Sequence, residues 1–124
     1  MPKNRRRRRN PRNIIKKIAS SRMLYLFQRA NEIFPNRKEL ANRYSYLARR
    51  YAQRAKLKIP RKWKKRICHH CKMFLYPGLN SRYRLHSHKG KGSHISLTCL
   101  ECNNTTRYFI KLKNNQISNN ILRK

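Results

Sequence analysis

Acidic residues are almost absent from this chain of 124 residues: Glu32, Glu39 and Glu101 stand against 34 lysines and arginines, for a formal net charge of +31. Such an imbalance opposes compaction by self-repulsion and favours a polyanion as partner. Metal-assisted cleavage of phosphodiesters usually needs clustered carboxylates to hold Mg²⁺. Three scattered glutamates do not predict such a cluster, so we expect that the isolated chain is not catalytic.

Long apolar runs are lacking as well. The longest is Met23 to Phe27, far short of the roughly 18 residues that a membrane span needs. The basic N-terminus is not followed by the apolar stretch of a secretory signal. We therefore expect no membrane partner. The cysteine spacing suits metal better than disulfides, which indicates a reducing compartment, so we expect a cytoplasmic protein. Residues 1–30 are rich in arginine and free of acids, as transit peptides are, so a targeting segment stays open as a minor alternative.

The apolar fraction is only 38%, which indicates a modest core in one domain, or in two small modules that share one. A bound metal commonly reinforces such a small core, because the free energy of metal binding is also free energy of folding.

No cysteine is left over, since all four fall into two Cys-x2-Cys pairs: Cys68 with Cys71, and Cys99 with Cys102. Four thiolates around one Zn²⁺ make a closed structural site without an open position for substrate. A single pair is also typical of redox motifs, but the doubled pair favours metal. The 27 residues between the pairs exceed the usual span of roughly 15–20. A hairpin from Arg82 to Ser96 accounts for the excess.

The first third of the chain predicts a basic arm and a helix. Residues 1–13 contain five consecutive arginines and are expected to be disordered when free. Residues 14–34 carry apolar side chains at helical spacing, and the helix should end before Pro35. The apolar stripe consists of Ile15, Ala19, Met23, Leu26, Ala30 and Ile33. Because Ile14, Ile18, Leu24 and Phe27 widen it, we expect this helix to contact more than one neighbour.

A second helix should complete an antiparallel hairpin over residues 14–57, with Asn36 as its cap and Glu39 as the capping-box partner. We expect its apolar stripe to be Leu40, Tyr44, Leu47, Tyr51 and Ala55, flanked by Ala41, Ala48 and Ala52. The two tyrosines of the stripe are expected in the core rather than free to stack on bases. Residues 58–66 are a basic connector. Within it, Trp63 is equally well explained as an apolar plug between helices and ribbon or as an RNA contact.

Residues 67–113 predict a zinc ribbon built on a three-stranded antiparallel sheet, which makes the chain a small α+β protein. The tail, residues 114–124, should fray. Five histidines, His69, His70, His86, His88 and His94, are interpreted either as RNA-facing residues or as ordinary surface. None has a carboxylate nearby in sequence that would orient it as a base.

The order of these parts resembles the archaeal ribonuclease P protein component 4 family, which is related to the 21 kDa subunit of the eukaryotic enzyme. The likeness covers residues 14–112. It is most specific in Cys68-His69-His70-Cys71, Leu75-Tyr76-Pro77-Gly78-Leu79-Asn80, Arg82-Tyr83-Arg84 and Thr98-Cys99-Leu100-Glu101-Cys102. One departure is Asn103, where ribbon knuckles often have a glycine in a left-handed turn. Asparagine also tolerates that conformation.

The resemblance implies a subunit of the ribonucleoprotein that removes the 5′ leader of precursor tRNA, with the chemistry carried by the RNA. It implies a partner, component 1, with an Sm-like β-barrel; the pair would act on the specificity domain of ribonuclease P RNA and only indirectly on precursor tRNA. One structural zinc would be bound by Cys68, Cys71, Cys99 and Cys102. RNA would be contacted by Arg82, Arg84, Lys89, Lys91, Lys62, Lys64, Lys65 and Arg66. The component 1 contact would fall on Ile14, Ile18, Leu24 and Phe27.

Two other classes remain as alternatives. A zinc-ribbon ribosomal protein would share the charge, the arm and the four cysteines. A zinc-ribbon transcription factor would bind duplex DNA, but no helix here carries a clear set of base-reading side chains.

Overall fold

The structure, a computed structural model, is described for residues 10–90 and 92–111. Its elements are α1 (Pro11–Ile33), α2 (Lys38–Arg54), α3 (Arg61–Lys64), β1 (Ser81–His88), β2 (Gly92–Cys99) and β3 (Thr105–Phe109). The predicted α+β class is confirmed: a helical hairpin precedes a three-stranded antiparallel sheet. In the described part of the chain, no helix has the length and apolarity to cross a bilayer. Residues 1–9, most of the predicted arm, and 112–124, which include the predicted tail, lie outside the described ranges.

Helix α1 begins at Pro11, three residues before the predicted start at Ile14, so residues 11–13 belong to the helix and not to the arm. The reason is local. Asn10 caps the helix by accepting a hydrogen bond from the N–H of Arg12 at 3.1 Å, and Pro11 occupies the first turn, where its fixed φ suits a helix. The helix ends at Ile33, before Pro35, as predicted.

The predicted cap of α2 is wrong. The N-cap residue is Arg37, and no side chain forms a capping hydrogen bond there. Asn36 lies one residue earlier, in the turn, where its N–H donates to the carbonyl of Ile33 at 3.0 Å. Glu39 lies in the first turn of α2, where a carboxylate interacts favourably with the helix dipole.

The buried face of α2 is also rotated by about one residue from the predicted stripe. It consists of small side chains, Ala41, Ser45, Ala48 and Ala52, whereas Leu47 and Tyr51 are exposed. Small residues let the two helices approach closely, and the larger side chains of α1, Met23 and Phe27, fill the space between them. Of the two tyrosines expected in the core, Tyr51 is 37% exposed, whereas Tyr44 is partly buried and packs against the core.

One core joins the helices to the ribbon. Trp63 of α3 is 6% exposed, and its ring stacks on Phe27 of α1 with a centroid distance of 5.5 Å. Phe34, just after α1, stacks on Tyr76 of the ribbon at 5.4 Å. Of the two explanations for Trp63, the structure favours the apolar plug.

Polar contacts reinforce the same junction. The guanidinium of Arg66 donates to Asn31 of α1 at 3.0 Å, and Asn42 of α2 accepts the N–H of Phe74 at 2.9 Å. Lys38, at the start of α2, forms an ion pair with Glu101 between the second pair of cysteines. The hairpin therefore holds the ribbon from both of its long helices.

The sheet has the order β1-β2-β3, and its register assigns side chains to two faces. On one face Leu97 and Cys99 of β2 are buried, with Tyr108 of β3 packed beside them. On the other face, Ser96 of β2 lies between Arg84 of β1 and Arg107 of β3. Cross-strand partners share a face. The sheet therefore presents a core-facing side and a basic side.

Candidate metal centre and basic surfaces

The four cysteine sulfurs form one cluster, with all four Sγ atoms within 4.8 Å of one another. The Sγ atoms of Cys68 and Cys102 are 3.6 Å apart, and those of Cys71 and Cys99 are 3.7 Å apart. A disulfide requires about 2.05 Å, so these are free thiols. Tetrahedral coordination with zinc–sulfur bonds of about 2.3 Å places sulfurs about 3.8 Å apart. The site thus has the donors and the spacing to hold one metal ion.

Two matched backbone turns bring the sulfurs together. The N–H of Cys68 donates to the carbonyl of Met73 at 3.0 Å, and the N–H of Cys99 donates to Asn104 at 2.9 Å, five residues on in both cases. The residue after each second cysteine is left-handed: Lys72 has φ 61° and Asn103 has φ 57°. The expectation that Asn103 tolerates this turn is confirmed. Lys72 adopts the same conformation although it is neither a glycine nor an asparagine, the residue types that most readily adopt it.

The thiols influence one another's ionisation. Burial opposes ionisation of Cys68, but hydrogen bonds from the backbone N–H groups of Cys71 and His70, together with those from the thiols of Cys71 and Cys102, lower the pKa of Cys68 to about 7. Burial raises the pKa of Cys71 to about 12, and its sulfur neighbours add to the shift. Cys68 therefore ionises readily, whereas formation of a second thiolate at Cys71 is unfavourable. A divalent cation at the centre removes that opposition, because thiolates are its ligands.

A buried asparagine links the two halves of the ribbon. Asn80 is 4% exposed; its side-chain carbonyl accepts the N–H of Tyr76 at 2.7 Å, and its amide donates to the carbonyl of Phe74 at 2.8 Å. Its backbone carbonyl accepts the N–H of Leu100 at 2.9 Å, inside the second cysteine pair. The segment after the first pair is thus tied directly to the second pair.

Lysines of the connector line a basic cleft of about 480 Å³ between α3 and the β3 edge of the sheet. Lys64 and Lys65, both predicted as RNA contacts, lie in it. His69, interpreted from sequence as RNA-facing or ordinary surface, also lines it. The remaining lining residues were not among the predicted RNA contacts: Arg61, Arg107, Tyr108, Phe109 and Lys111. Lys65 Nζ lies 5.1 Å from the centroid of the Tyr108 ring. Burial raises the pKa of Tyr108, so its hydroxyl remains protonated and available as a donor.

The basic face of the sheet continues from that cleft. We use this name for the side formed by Arg82, Arg84, His86, His88, His94, Arg107 and Phe109. Arg107 and Phe109 belong both to this face and to the basic cleft, so the two surfaces are continuous around the β3 edge. The alternation of basic and apolar residues in β1 indicated the arginines of β1, but the β3 contribution depends on strand pairing.

The remaining predicted RNA contacts differ in their surroundings. Lys62 is exposed on α3, with Nζ 5.2 Å from the Trp63 ring centroid, and Lys89 is exposed at the tip of the β1–β2 hairpin. Arg66 is partly buried; besides its bond to Asn31, its guanidinium lies 5.9 Å from the Tyr76 ring centroid. Arg66 therefore acts first as a tether within the chain. Lys91 lies outside the described residues.

The predicted protein-contact residues of α1 divide into two groups. Ile14 and Ile18 are 42% and 56% exposed, whereas Phe27 is completely buried and Leu24 packs against the core. Phe27 as a partner contact is thus wrong, because its ring stacks on Trp63. The exposed pair extends into an apolar helical surface, which we define as Ile14, Ile15, Ile18, Tyr46, Leu47 and Tyr51. Two shallow hollows beside Arg54 join all of these except Ile14, which lines a third hollow together with Ile18.

Comparison with known proteins supports a family relationship along most of the chain. The family described as "RNAse P Rpr2/Rpp21/SNM1 subunit domain" matches residues 22–103. Ribonuclease P protein component 4 of Pyrococcus furiosus is 48% identical over 93 residues, which cover 75% of this chain and 78% of that protein. The protein of the same name from Methanosarcina acetivorans is 41% identical over 107 residues, covering 86% and 95%.

Two solved structures are similar in fold and sequence. A chain in the cryo-EM structure of archaeal ribonuclease P with mature tRNA superposes with a TM-score of 0.68 at 41% identity, covering 77% of this chain and 78% of that chain. A structure of Pfu Rpp21 gives a TM-score of 0.56 at 46% identity, with 74% of this chain and 99% of that chain covered.

Proposed function

The chain belongs to the RNAse P Rpr2/Rpp21/SNM1 subunit family, and from this premise we propose that it is a protein subunit of ribonuclease P, the ribonucleoprotein that removes the 5′ leader of precursor tRNA. The observation that carries the proposal is its likeness, at a TM-score of 0.68, to a chain within an archaeal ribonuclease P that holds tRNA. The role of the protein is to bind and stabilise the catalytic RNA at its specificity domain, while the RNA carries the chemistry and precursor tRNA is engaged indirectly.

The ion held by Cys68, Cys71, Cys99 and Cys102 is one structural Zn²⁺ in this proposal. Four thiolates saturate a tetrahedral ion, so the zinc supplies folding free energy rather than a reactive position. The matched turns around Lys72 and Asn103 present the sulfurs, and the ion in return holds the sheet in shape for RNA. A reducing cytoplasm, where thiols stay available to metal, fits this role.

RNA lies along the basic cleft and the basic face of the sheet. Arg82, Arg84, Lys62, Lys64, Lys65 and Lys89 contact phosphates there, together with the newly recognised Arg61, Arg107 and Lys111. Each neutralised phosphate releases counterions, so affinity should fall steeply with salt. Because bound protein cations replace part of the Mg²⁺ that screens folded RNA, the complete enzyme should need less Mg²⁺ than an enzyme that lacks these contacts.

Reconstitution tests the proposal. The chain and its partner are added to ribonuclease P RNA, and removal of the leader is measured against Mg²⁺ concentration. We expect stimulation by the wild type and a higher Mg²⁺ requirement with the double variant Arg82→Glu/Arg84→Glu. The matched control, Arg22→Glu/Arg43→Glu, changes the net charge equally on exposed helical positions. No stimulation by the wild type, or equal Mg²⁺ curves for both double variants, contradicts the assignment.

The protein partner is ribonuclease P protein component 1, an Sm-like barrel, docked on the apolar helical surface. Support comes from Ile14, Ile18 and Tyr51, apolar side chains that residues 10–90 and 92–111 leave exposed where the start of α1 meets the end of α2. Ile18→Lys should abolish co-purification of this partner. Leu85→Lys, which replaces an exposed apolar residue on β1, should leave it intact. Retention of the partner by Ile18→Lys would place the contact elsewhere.

A ribosomal protein with a zinc ribbon remains the rival class, although the family match does not favour it. RNA recovered with the tagged protein separates the two. Enrichment of ribonuclease P RNA supports the proposal, and enrichment of ribosomal RNA alone supports the rival.

A further inference from the structure

Three histidines and a phenylalanine form a row of rings on the basic face of the sheet. His86 of β1 and His94 of β2 are cross-strand partners, with ring centroids 5.0 Å apart and ring planes 18° apart. His88 lies 6.0 Å from His94 with planes 12° apart. Phe109 of β3 lies 5.7 Å from His94 at a tilt of 49°. We call these four side chains the ring row.

Core packing does not account for the ring row. Phe109 is 71% exposed and His88 is exposed, whereas the buried apolar residues of β2, Leu97 and Cys99, lie on the opposite side of the sheet. An exposed phenyl ring next to three imidazoles gains little from burial within this chain. The arrangement instead leaves aromatic faces and edges open to a ligand.

Metal binding does not account for the row either. The nitrogen lone pairs of an imidazole lie in its ring plane, so stacked, nearly parallel rings direct them side by side instead of toward one point. Within residues 10–90 and 92–111, the one group of side chains whose ligand atoms converge as a metal site requires is the cysteine cluster. Parallel rings at this spacing are the geometry in which further flat π-systems stack.

Positive charge lies along one side of the row. Arg84 and Arg107 pair with Ser96 from opposite sides, one step along the sheet from His86, His94 and Phe109. Arg107 and Phe109 also line the basic cleft, so the path for phosphates leads directly to the rings. Rings for bases beside cations for phosphates are the combination that surfaces for single-stranded nucleic acid use.

We propose that the ring row stacks an unpaired nucleobase of the bound RNA, with Arg84 and Arg107 on the adjoining phosphates. The inference rests on the proposed RNA-binding function and names a ligand class for one part of that surface. The base is unpaired because paired and stacked bases in a helix do not expose their faces. Recognition by stacking tolerates different bases, so the site holds the strand in position without reading its sequence.

The electrostatics of the row agree with this use. Partial loss of solvent contact, together with His86, Arg107 and His88 nearby, lowers the pKa of His94 below its ordinary value of 6.5. The central ring is consequently neutral near pH 7, and a neutral ring stacks without imposing a charge on the base.

The test uses the zinc-loaded full chain, ribonuclease P RNA, and a short single-stranded RNA with one central 2-aminopurine. Phe109→Ala should weaken the binding of both RNAs by about five- to 150-fold, the range observed when one base-stacking side chain is removed. Phe109→Leu should remain weak because it is apolar but not aromatic, and Phe109→Tyr should restore affinity. Wild-type protein should quench the 2-aminopurine, and Phe109→Leu should not.

Two controls separate stacking from charge and from general surface effects. Arg107→Gln should reduce the slope of log affinity against log salt by about 0.7, whereas Phe109→Ala should leave that slope unchanged. Leu85→Ala removes an equally exposed apolar side chain, 69% exposed, from the opposite face of β1 and should bind as wild type.

The outcomes distinguish this inference from the function on which it rests. A wild-type chain that fails to bind ribonuclease P RNA refutes the proposed function. If the wild type binds the RNA, Phe109→Leu binds it equally well and the wild type does not quench 2-aminopurine, the stacking site is refuted and the proposed function is not. A second bound zinc that disappears in His94→Ala overturns the inference in favour of a metal site.

Discussion

Replacing Trp63 by alanine should destabilise the helices and the ribbon together. The side chain is 6% exposed and stacks on Phe27, which is completely buried. Phe74 and Ile67 of the ribbon belong to the same core. Trp63 therefore joins two parts that differ in secondary structure but share one interior, and its loss leaves a cavity between them.

The size of the effect follows from burial. Truncating a buried tryptophan to alanine costs about 3–5 kcal/mol. Small domains have total stabilities of about 5–15 kcal/mol, so roughly a fifth or more of the stability is lost. With a urea dependence of about 2 kcal/mol per molar, the midpoint of unfolding should fall by about 1.5–2.5 M.

Urea unfolding monitored by far-ultraviolet circular dichroism measures the shift in midpoint caused by Trp63→Ala. The concentration of free zinc is kept fixed, because a bound metal shifts apparent stability. Trp63→Phe keeps an aromatic ring and should cost less. A double-mutant cycle with Phe27→Leu and Trp63→Leu should give a coupling free energy of about 0.5–1.5 kcal/mol for the stacked pair. In the wild type, this single tryptophan should emit at the short wavelengths of a buried indole.

RNA affinity tests whether Trp63 is a core residue or an RNA contact. A side chain that is 6% exposed cannot stack on a base without unfolding the junction, so Trp63→Phe should bind RNA within about twofold of wild type. A tenfold loss of affinity in Trp63→Phe with unchanged free energy of unfolding would show that the indole contacts RNA. The plug explanation would then be wrong.

Three further predictions concern the centre, the junction and pH. Cys99→Ser should lower both the zinc stoichiometry measured by native mass spectrometry and the melting temperature, and a retained equimolar zinc would contradict the four-ligand site. Asn42→Ala should cost about 1–3 kcal/mol in urea unfolding because it leaves the N–H of Phe74 without its acceptor; a loss below 0.5 kcal/mol, roughly the error of the assay, would mean that water replaces it. The lowered pKa of His94 means that the unfolded chain binds its proton more readily, so stability should fall as the pH drops below about 6.5; His94→Gln should reduce that fall relative to wild type, and identical pH profiles would contradict the shift.

Local sequence was sufficient where one short segment decides the outcome. The stop before Pro35, the left-handed turn at Asn103 and the pairing of each Cys-x2-Cys depend on backbone preferences within a few residues. Asn10 and Pro11, a cap followed by a first-turn proline, also indicate a helix start from local sequence. The predicted arm nevertheless extended to residue 13, because the run of arginines was weighted more heavily than this cap.

Periodicity failed where two faces of a helix were both plausible. In α2 the large side chains Tyr44, Leu47 and Tyr51 formed a regular stripe, but the helix buries Ala41, Ser45 and Ala48 instead. Hydrophobicity ranks the large residues higher, whereas the distance between packed helices favours the small ones. The size of Phe27 on the opposing helix settles that choice, and it is visible only when both helices are placed together.

The amino-acid sequence by itself determined the charge of the protein, its two Cys-x2-Cys pairs and the resemblance to one family, because each depends on residue identity and short spacing. Only the tertiary structure decided that Trp63 is a plug, that Phe27 is unavailable to a partner, and that Arg107 and Phe109 complete the basic surface. Those properties depend on which residues meet across strands and helices distant in sequence. Such contacts are created by helix packing and strand register, which depend on several segments together and cannot be read from any one of them.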